Sequence, residues 1–116
     1  FAHIRQIKSA LGISGVHTET FSWTFKGDET HDGTQIDMLI DRADRIINLC
    51  EVKFSLSEYT VTKDYDRKLR DRLQTFLDVV HPKKAIHQTF ITTYGLRDNE
   101  YAGKIQSIIT MEDLFR

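Results

Sequence analysis

Asp37, Glu51 and Lys53 are the residues whose types and spacing could do chemistry. They sit within "IDMLIDRADRIINLCEVKFS", residues 36–55, a stretch otherwise rich in Ile, Leu and Val. Strand side chains alternate, so Glu51 and Lys53 share a face with Ile47 and Leu49. On the preceding strand Asp37 shares its face with Leu39 and Asp41. The two runs are joined by a short polar turn and should pair antiparallel. If Asp41 sits opposite Ile47, Ala43, Asp44 and Arg45 form a three-residue loop and Asp37 falls opposite Glu51. A four-residue loop would turn Asp37 to the other face unless a bulge restored it.

Two opposed carboxylates repel, and a shared proton, a cation or strong solvation must offset that. Oxygen donors at this spacing suit Mg²⁺, which takes one or two protein carboxylates and keeps several waters. A lysine beside such an ion would orient or polarise an attacking water, as in metal-assisted phosphodiester hydrolysis. The plain alternative is a cross-strand ion-pair cluster at a solvated edge.

The elements that must position these groups follow from periodicity. Phe1, Ile4, Ile7 and Leu11 predict a first helix, ended by Gly12 and Gly15. Strands are predicted over 20–25, 34–41 and 46–54. Ile36, Met38 and Ile40 are expected on one face of the second, and Phe21, Trp23 and Phe25 on the core face of the first. A long helix over about 62–80 has Tyr65, Leu69, Leu73, Phe76, Leu77 and Val80 as its apolar stripe, Thr62 as N-cap and Pro82 beyond its end. Strands over 84–93 and 105–110 and a terminal helical turn complete an α/β chain, in the order α-β-β-β-α-β-β, with a mixed sheet flanked by helices.

Bulk properties narrow the classes. The 116 residues suit one domain (1–116), with 40% hydrophobic and 28% charged residues. A net charge of −1 excludes a strongly basic nucleic-acid binder. The single cysteine, Cys50, allows no internal disulfide and fits a cytoplasmic setting. By alternation it points away from Glu51 and Lys53, as a packing group. No run reaches the length of a membrane span, so no membrane partner is expected. The chain begins at Phe1 rather than Met, which is read as a fragment of a longer protein.

Asp37 followed by Glu51-Val52-Lys53, after a helix and within a three-strand meander, resembles the PD-(D/E)XK superfamily of restriction-endonuclease-like nucleases. The likeness in element order runs from about Phe1 to Thr93; Ile36 stands where the family's name has proline. It implies a restriction-endonuclease-like core, with Asp37, Glu51 and the Val52 carbonyl holding Mg²⁺ or Mn²⁺ and Lys53 serving the water. The implied substrate is a nucleic acid, DNA first. Many members carry an acid on the first helix; residues 1–12 contain none, so a second metal lacks its usual ligand. Glu19 is the nearest substitute, and Gln35 and Lys63 are auxiliary candidates for a metal water or a phosphate. The plain reading of Gln35 is a strand-entry residue; the helix stripe Lys63, Arg67 and Arg70 reads as a solvated face paired with Asp64, Asp66 and Asp71, Lys63 excepted. "INLCEVKFS", "YTVTKDYDRKLRDRL" and "ITTYGL" are similar to the nuclease-like C-terminal module behind bacterial and archaeal P-loop ATPase domains. That implies an upstream ATPase domain in the same chain; no GxxxxGK[ST] occurs within these residues. A non-catalytic docking or regulatory module of the ATPase is the competing expectation, and a sheet-edge oligomerisation domain a third.

Overall fold

The computed structural model describes residues 3–115. Its core is one five-stranded sheet in the order β1-β2-β3-β4-β5, with β1 Thr18–Phe25, β2 Thr34–Arg42, β3 Ile46–Lys53, β4 Ala85–Thr92 and β5 Ser107–Thr110. The first three strands form an antiparallel meander, whereas β3–β4 and β4–β5 are parallel. Parallel neighbours need a long crossover. Between β3 and β4 it is provided by the helix α2, Lys63–Val80. A helix α1, Ile4–Ala10, precedes β1, and a one-turn helix α3, Met111–Leu114, follows β5. The chain is thus α/β with a mixed sheet between helices; Phe1, placed on the first helix by its spacing, lies outside the described residues.

The hairpin register matches the shorter-loop expectation. Asp41 pairs with Ile47 and Met38 with Cys50, and residues 43–45 form the loop. Arg45 closes that loop at φ 74°, the left-handed region.

Two apolar layers sandwich the sheet. Met38, Ile40 and Cys50 pack with Ile7, Ile109 and Leu114 on the α1/α3 side. Ile36, Leu39, Ile47 and Leu49 pack with Phe76 on the α2 side. The expected strict alternation of Ile36, Met38 and Ile40 is therefore wrong at its first member. The cause lies in the β1–β2 register. Phe21 pairs with Leu39 but Trp23 with Ile36, so β2 spends three residues where β1 spends two. This β-bulge at Asp37–Met38 carries Ile36 over to the α2 side. Trp23 follows it there and meets Phe76 edge to face at 5.2 Å. Phe21, expected in the core, is exposed on the edge strand.

Helix α2 starts where the capping chemistry requires. The Thr62 hydroxyl accepts from the Tyr65 amide, and Asp64 and Asp66 lie in the first turn. His81, in the left-handed region, ends the helix just before Pro82. Ile105 and Gln106, expected in the last strand, are not in it. The chain there first makes a turn of 3-10 helix, Ala102–Lys104, and the Ile105 amide bonds back to the Ala102 carbonyl.

Candidate functional site

At the C-terminal end of β3, Glu51 and Lys53 line a cleft of about 670 Å³ between the sheet, α2 and the β1–β2 loop. Leu49, two residues earlier, is fully buried against Phe76, so period-two alternation delivers Glu51 and Lys53 to the same side, toward α2. The cleft wall mixes signs: Lys53, Lys68 and Arg72 stand with Asp32, Glu51 and Asp71. A balanced wall gives little long-range steering of a polyanion, so contact chemistry must decide what binds.

Glu51 is not a free carboxylate. Its Oε2 accepts from Arg72 Nη2 at 2.5 Å, both side chains being 15% exposed. Arg72 Nη1 also donates to the Gln35 carbonyl at 3.4 Å. One arginine from α2 thereby bridges β3 to β2. Its Nε is buried without a hydrogen-bond partner. The charge on Glu51 is felt by its neighbours. Burial pushes the Tyr65 hydroxyl well above the ordinary tyrosine range, and Glu51 adds to the shift. Tyr59 moves the same way for the same two reasons. On the opposite face, burial and then Glu51 push the Cys50 thiol up to about 12. Cys50 is thus an inert packing group, as alternation predicts.

Lys53 sits against two aromatic rings. Its ammonium is 4.8 Å from the Tyr65 ring centre and 5.9 Å from that of Tyr59. Both distances are within cation–π range. Among the described residues Lys53 makes no ion pair, and it lines the cleft.

The remaining expected residues divide. Asp37 counts opposite Glu51, one step beyond the last paired residues, Met38 and Cys50. It is exposed, accepts from Gln35 Nε2 at 2.6 Å, and does not belong to the cleft wall, whereas Gln35 does. The bulge explains this: Asp37 is its first residue, and the face that Leu39 sets is no longer guaranteed there. Convergence of Asp37 with Glu51 and Lys53 in one cleft, expected from alternation, is therefore not what the structure has. Val52 lies opposite Ile91 of β4. Glu19 pairs in register with Asp41, at the far end of the hairpin, and bonds His17 at 3.0 Å. It is no substitute for a helix-borne acid, because four residues of strand, about 13 Å, separate Ile47 from Glu51. Lys63, the exposed first residue of α2, is also outside the cleft wall. Arg67 pairs with the exposed Asp64 as a solvated face would, whereas Arg70 pairs with Asp66, which is buried.

Among the described residues no three His, Cys, Asp or Glu side chains cluster to hold a metal ion. The set that bears on a metal is thus Glu51, in the cleft wall, and Asp37, opposite it by count but outside that wall. Hard oxygen donors of this kind fit a hard divalent cation. Each, however, bonds another partner, Glu51 to Arg72 and Asp37 to Gln35.

Sequence reasoning missed Arg72, although a signal for it existed. It lies three residues after Leu69 and four before Phe76, inside the apolar stripe of α2, where a charge calls for a buried partner. The β1–β2 loop adds His31 to the cleft wall. His31 Nε2 bonds Asp78 of α2 at 2.9 Å and Nδ1 bonds Asp28 at 3.1 Å. These carboxylates, Asp78 foremost, hold the His31 pKa above its ordinary value. Gly33 in the same loop has no room for a side chain, since a Cβ would lie 2.9 Å from the Lys26 carbonyl oxygen.

The fold and cleft define an α/β protein with a charged cleft at the end of its central strand. No family model and no curated protein matches the chain. A crystal structure of a protein of unknown function, AF1548, is similar to it, with a TM-score of 0.59 and 19% identity over 97% of this chain. The chain spans 61% of that protein's length, and the likeness shows the shared fold alone. Among the described residues no helix is long and apolar enough to cross a membrane.

Proposed function

We propose that the chain is a nuclease-like domain of the PD-(D/E)XK type, hydrolysing a nucleic-acid phosphodiester, DNA first, with Mg²⁺ or Mn²⁺. The observation that carries this reading is the projection of Glu51 and Lys53 from one strand into one cleft, with Asp37 opposite Glu51 by register. A divalent ion, when bound, supplies Lewis-acid charge and a more acidic water. Glu51 and Asp37 are the donors that would hold it, with the Val52 carbonyl as the third that the resemblance implies. The chain's own contribution is position. The Tyr59 and Tyr65 rings hold the Lys53 ammonium itself, so it would meet the attacking water and the phosphate oxygens from a restricted direction. Lys68, lining the same cleft, adds a phosphate contact.

The likeness of "INLCEVKFS" and its companion segments supports attachment to an upstream P-loop ATPase, and the single buried cysteine fits a cytoplasmic protein. The test is cleavage of plasmid and single-stranded DNA with Mn²⁺. Cleavage by the wild-type chain, abolished in Lys53→Ala, is the expected result. No cleavage by the wild type, or equal cleavage by both, contradicts a nuclease. One observation favours a second reading, a non-catalytic docking module of the ATPase: the Glu51–Arg72 pair already neutralises the acid. That reading predicts no cleavage with either cation.

A further inference from the structure

Arg72 does more than neutralise an acid, because its hold on Glu51 is single and incomplete. Arg42, the other arginine tucked against the sheet, shows what a complete hold looks like. Its Nε and Nη2 fork the two oxygens of Asp44 at 2.8 and 2.6 Å, and its Nη1 reaches Asn48 at 3.1 Å. Arg72 makes one bond to one oxygen of Glu51 and one long bond to the Gln35 carbonyl, and its buried Nε has no partner. The two groups it touches belong to the two strands that carry the candidate metal ligands. Its guanidinium thus supplies positive charge beside Glu51, where a divalent ion would supply it.

We propose that Arg72 is the resting counter-ion of Glu51, and that a divalent cation entering the cleft displaces the guanidinium from the carboxylate. This rests on the metal-dependent reading of the site. No bond is made or broken beyond hydrogen bonds and coordination. One cation replaces another on Glu51, and the freed guanidinium stays in the cleft. The displacement takes one bond to Glu51 from Arg72, whose Nε has no partner to lose. It imposes a threshold on the cation, whose apparent affinity is lowered by the competition. Removing the competitor leaves Glu51 half-buried and uncompensated, which favours any cation that can reach it.

The experiment is Mn²⁺ binding by calorimetry to the wild-type chain, Arg72→Met, and Glu51→Gln/Arg72→Met, with folding checked by circular dichroism. Methionine keeps the apolar stem and removes the charge. The expected result is binding about tenfold tighter in Arg72→Met, lost again in the double variant. Wild-type binding with unchanged or weaker affinity in a folded Arg72→Met overturns the displacement and leaves the metal reading standing. No binding by either chain removes the metal from the proposed function, and the displacement falls with it. If Arg72→Met does not fold, the wild-type chain decides. On Mg²⁺ titration the Arg72 Nε–H resonance should move in step with saturation, and not in Glu51→Gln. Saturable Mg²⁺ binding that leaves that resonance in place overturns the proposal.

Discussion

The central strand β3 carries two polar clusters, and they are built in opposite ways. On the α1/α3 side, Asn48 is fully buried. Its amide nitrogen donates to Thr89 at 2.9 Å, and its oxygen accepts from Arg42, itself forked on Asp44. Thr89, also fully buried, donates onward to the His87 carbonyl. At the C-terminal end, Glu51 has an arginine with an orphaned nitrogen, and Lys53 has aromatic rings in place of an acid. The first cluster saturates its donors and acceptors and fixes how β2, β3 and β4 lie together. The second keeps unspent valence beside a cleft. A sheet built for rigidity alone would have used the first solution at both ends.

The largest expected effect comes from breaking the closed cluster. Asn48→Ala orphans Arg42 Nη1 and takes one bond from the Thr89 hydroxyl, which keeps the His87 carbonyl. It should lower unfolding stability by about 2–4 kcal/mol in urea denaturation, at roughly 1–3 kcal/mol for the buried group left unpaired and about 1 kcal/mol for the lost bond. A loss under about 1 kcal/mol would show that the network is not saturated in solution. The open cluster should respond less. Arg72→Met should cost about 1–2 kcal/mol, below the range for breaking a fully buried pair, because water reaches both groups. Adding Glu51→Gln should restore most of that loss, whereas a double variant worse than either single would place Arg72's value in packing. Thr62→Ala, at the start of the helix that presents Arg72 and Tyr65, should cost about 1 kcal/mol by thermal melting. The cap is local, so the Glu51–Arg72 pair should survive it.

The smallest effect concerns the cleft's roof. The His31 pKa is raised by Asp78 and then Asp28, while backbone donation from Thr30 leads the lowering of Asp28 and His31 leads that of Asp78. Protonated His31 and both ionised acids coexist above the acids' depressed values and below the histidine's raised one. The histidine contribution is fully present below its unfolded value near 6.5 and is lost as pH rises through the raised folded value. The acid contribution is lost as pH falls through the depressed folded values. Limited proteolysis of the β1–β2 loop should be slowest in the mildly acidic range and faster above neutrality, and His31→Ala should remove that dependence. A pH-independent rate in the wild type would mean that the clamp carries no load.

The hairpin was legible because its determinants are local. Alternation on β3, a polar turn and the choice between loop lengths gave the register, and with it the common direction of Glu51 and Lys53. Cys50 was legible for the same reason. The face of Asp37 was not, since a bulge leaves no mark in residue types; it comes from pairing with the edge strand β1, which the sequence of β2 does not contain. Arg72 was hidden for another reason. A helix stripe reports burial by its apolar members, and an arginine within it becomes visible only once Glu51 is known to face it. Tyr65 was read as core filler, and half of that is right: the ring is partly buried, and one face carries the Lys53 ammonium.

The most direct measurement is a crystal structure grown with Mn²⁺, read for anomalous scattering. The account predicts a peak between the Glu51 and Asp37 carboxylates with the Arg72 guanidinium turned away from Glu51. Arg72 still seated on Glu51 at saturating Mn²⁺, with no peak beside that carboxylate, would contradict it.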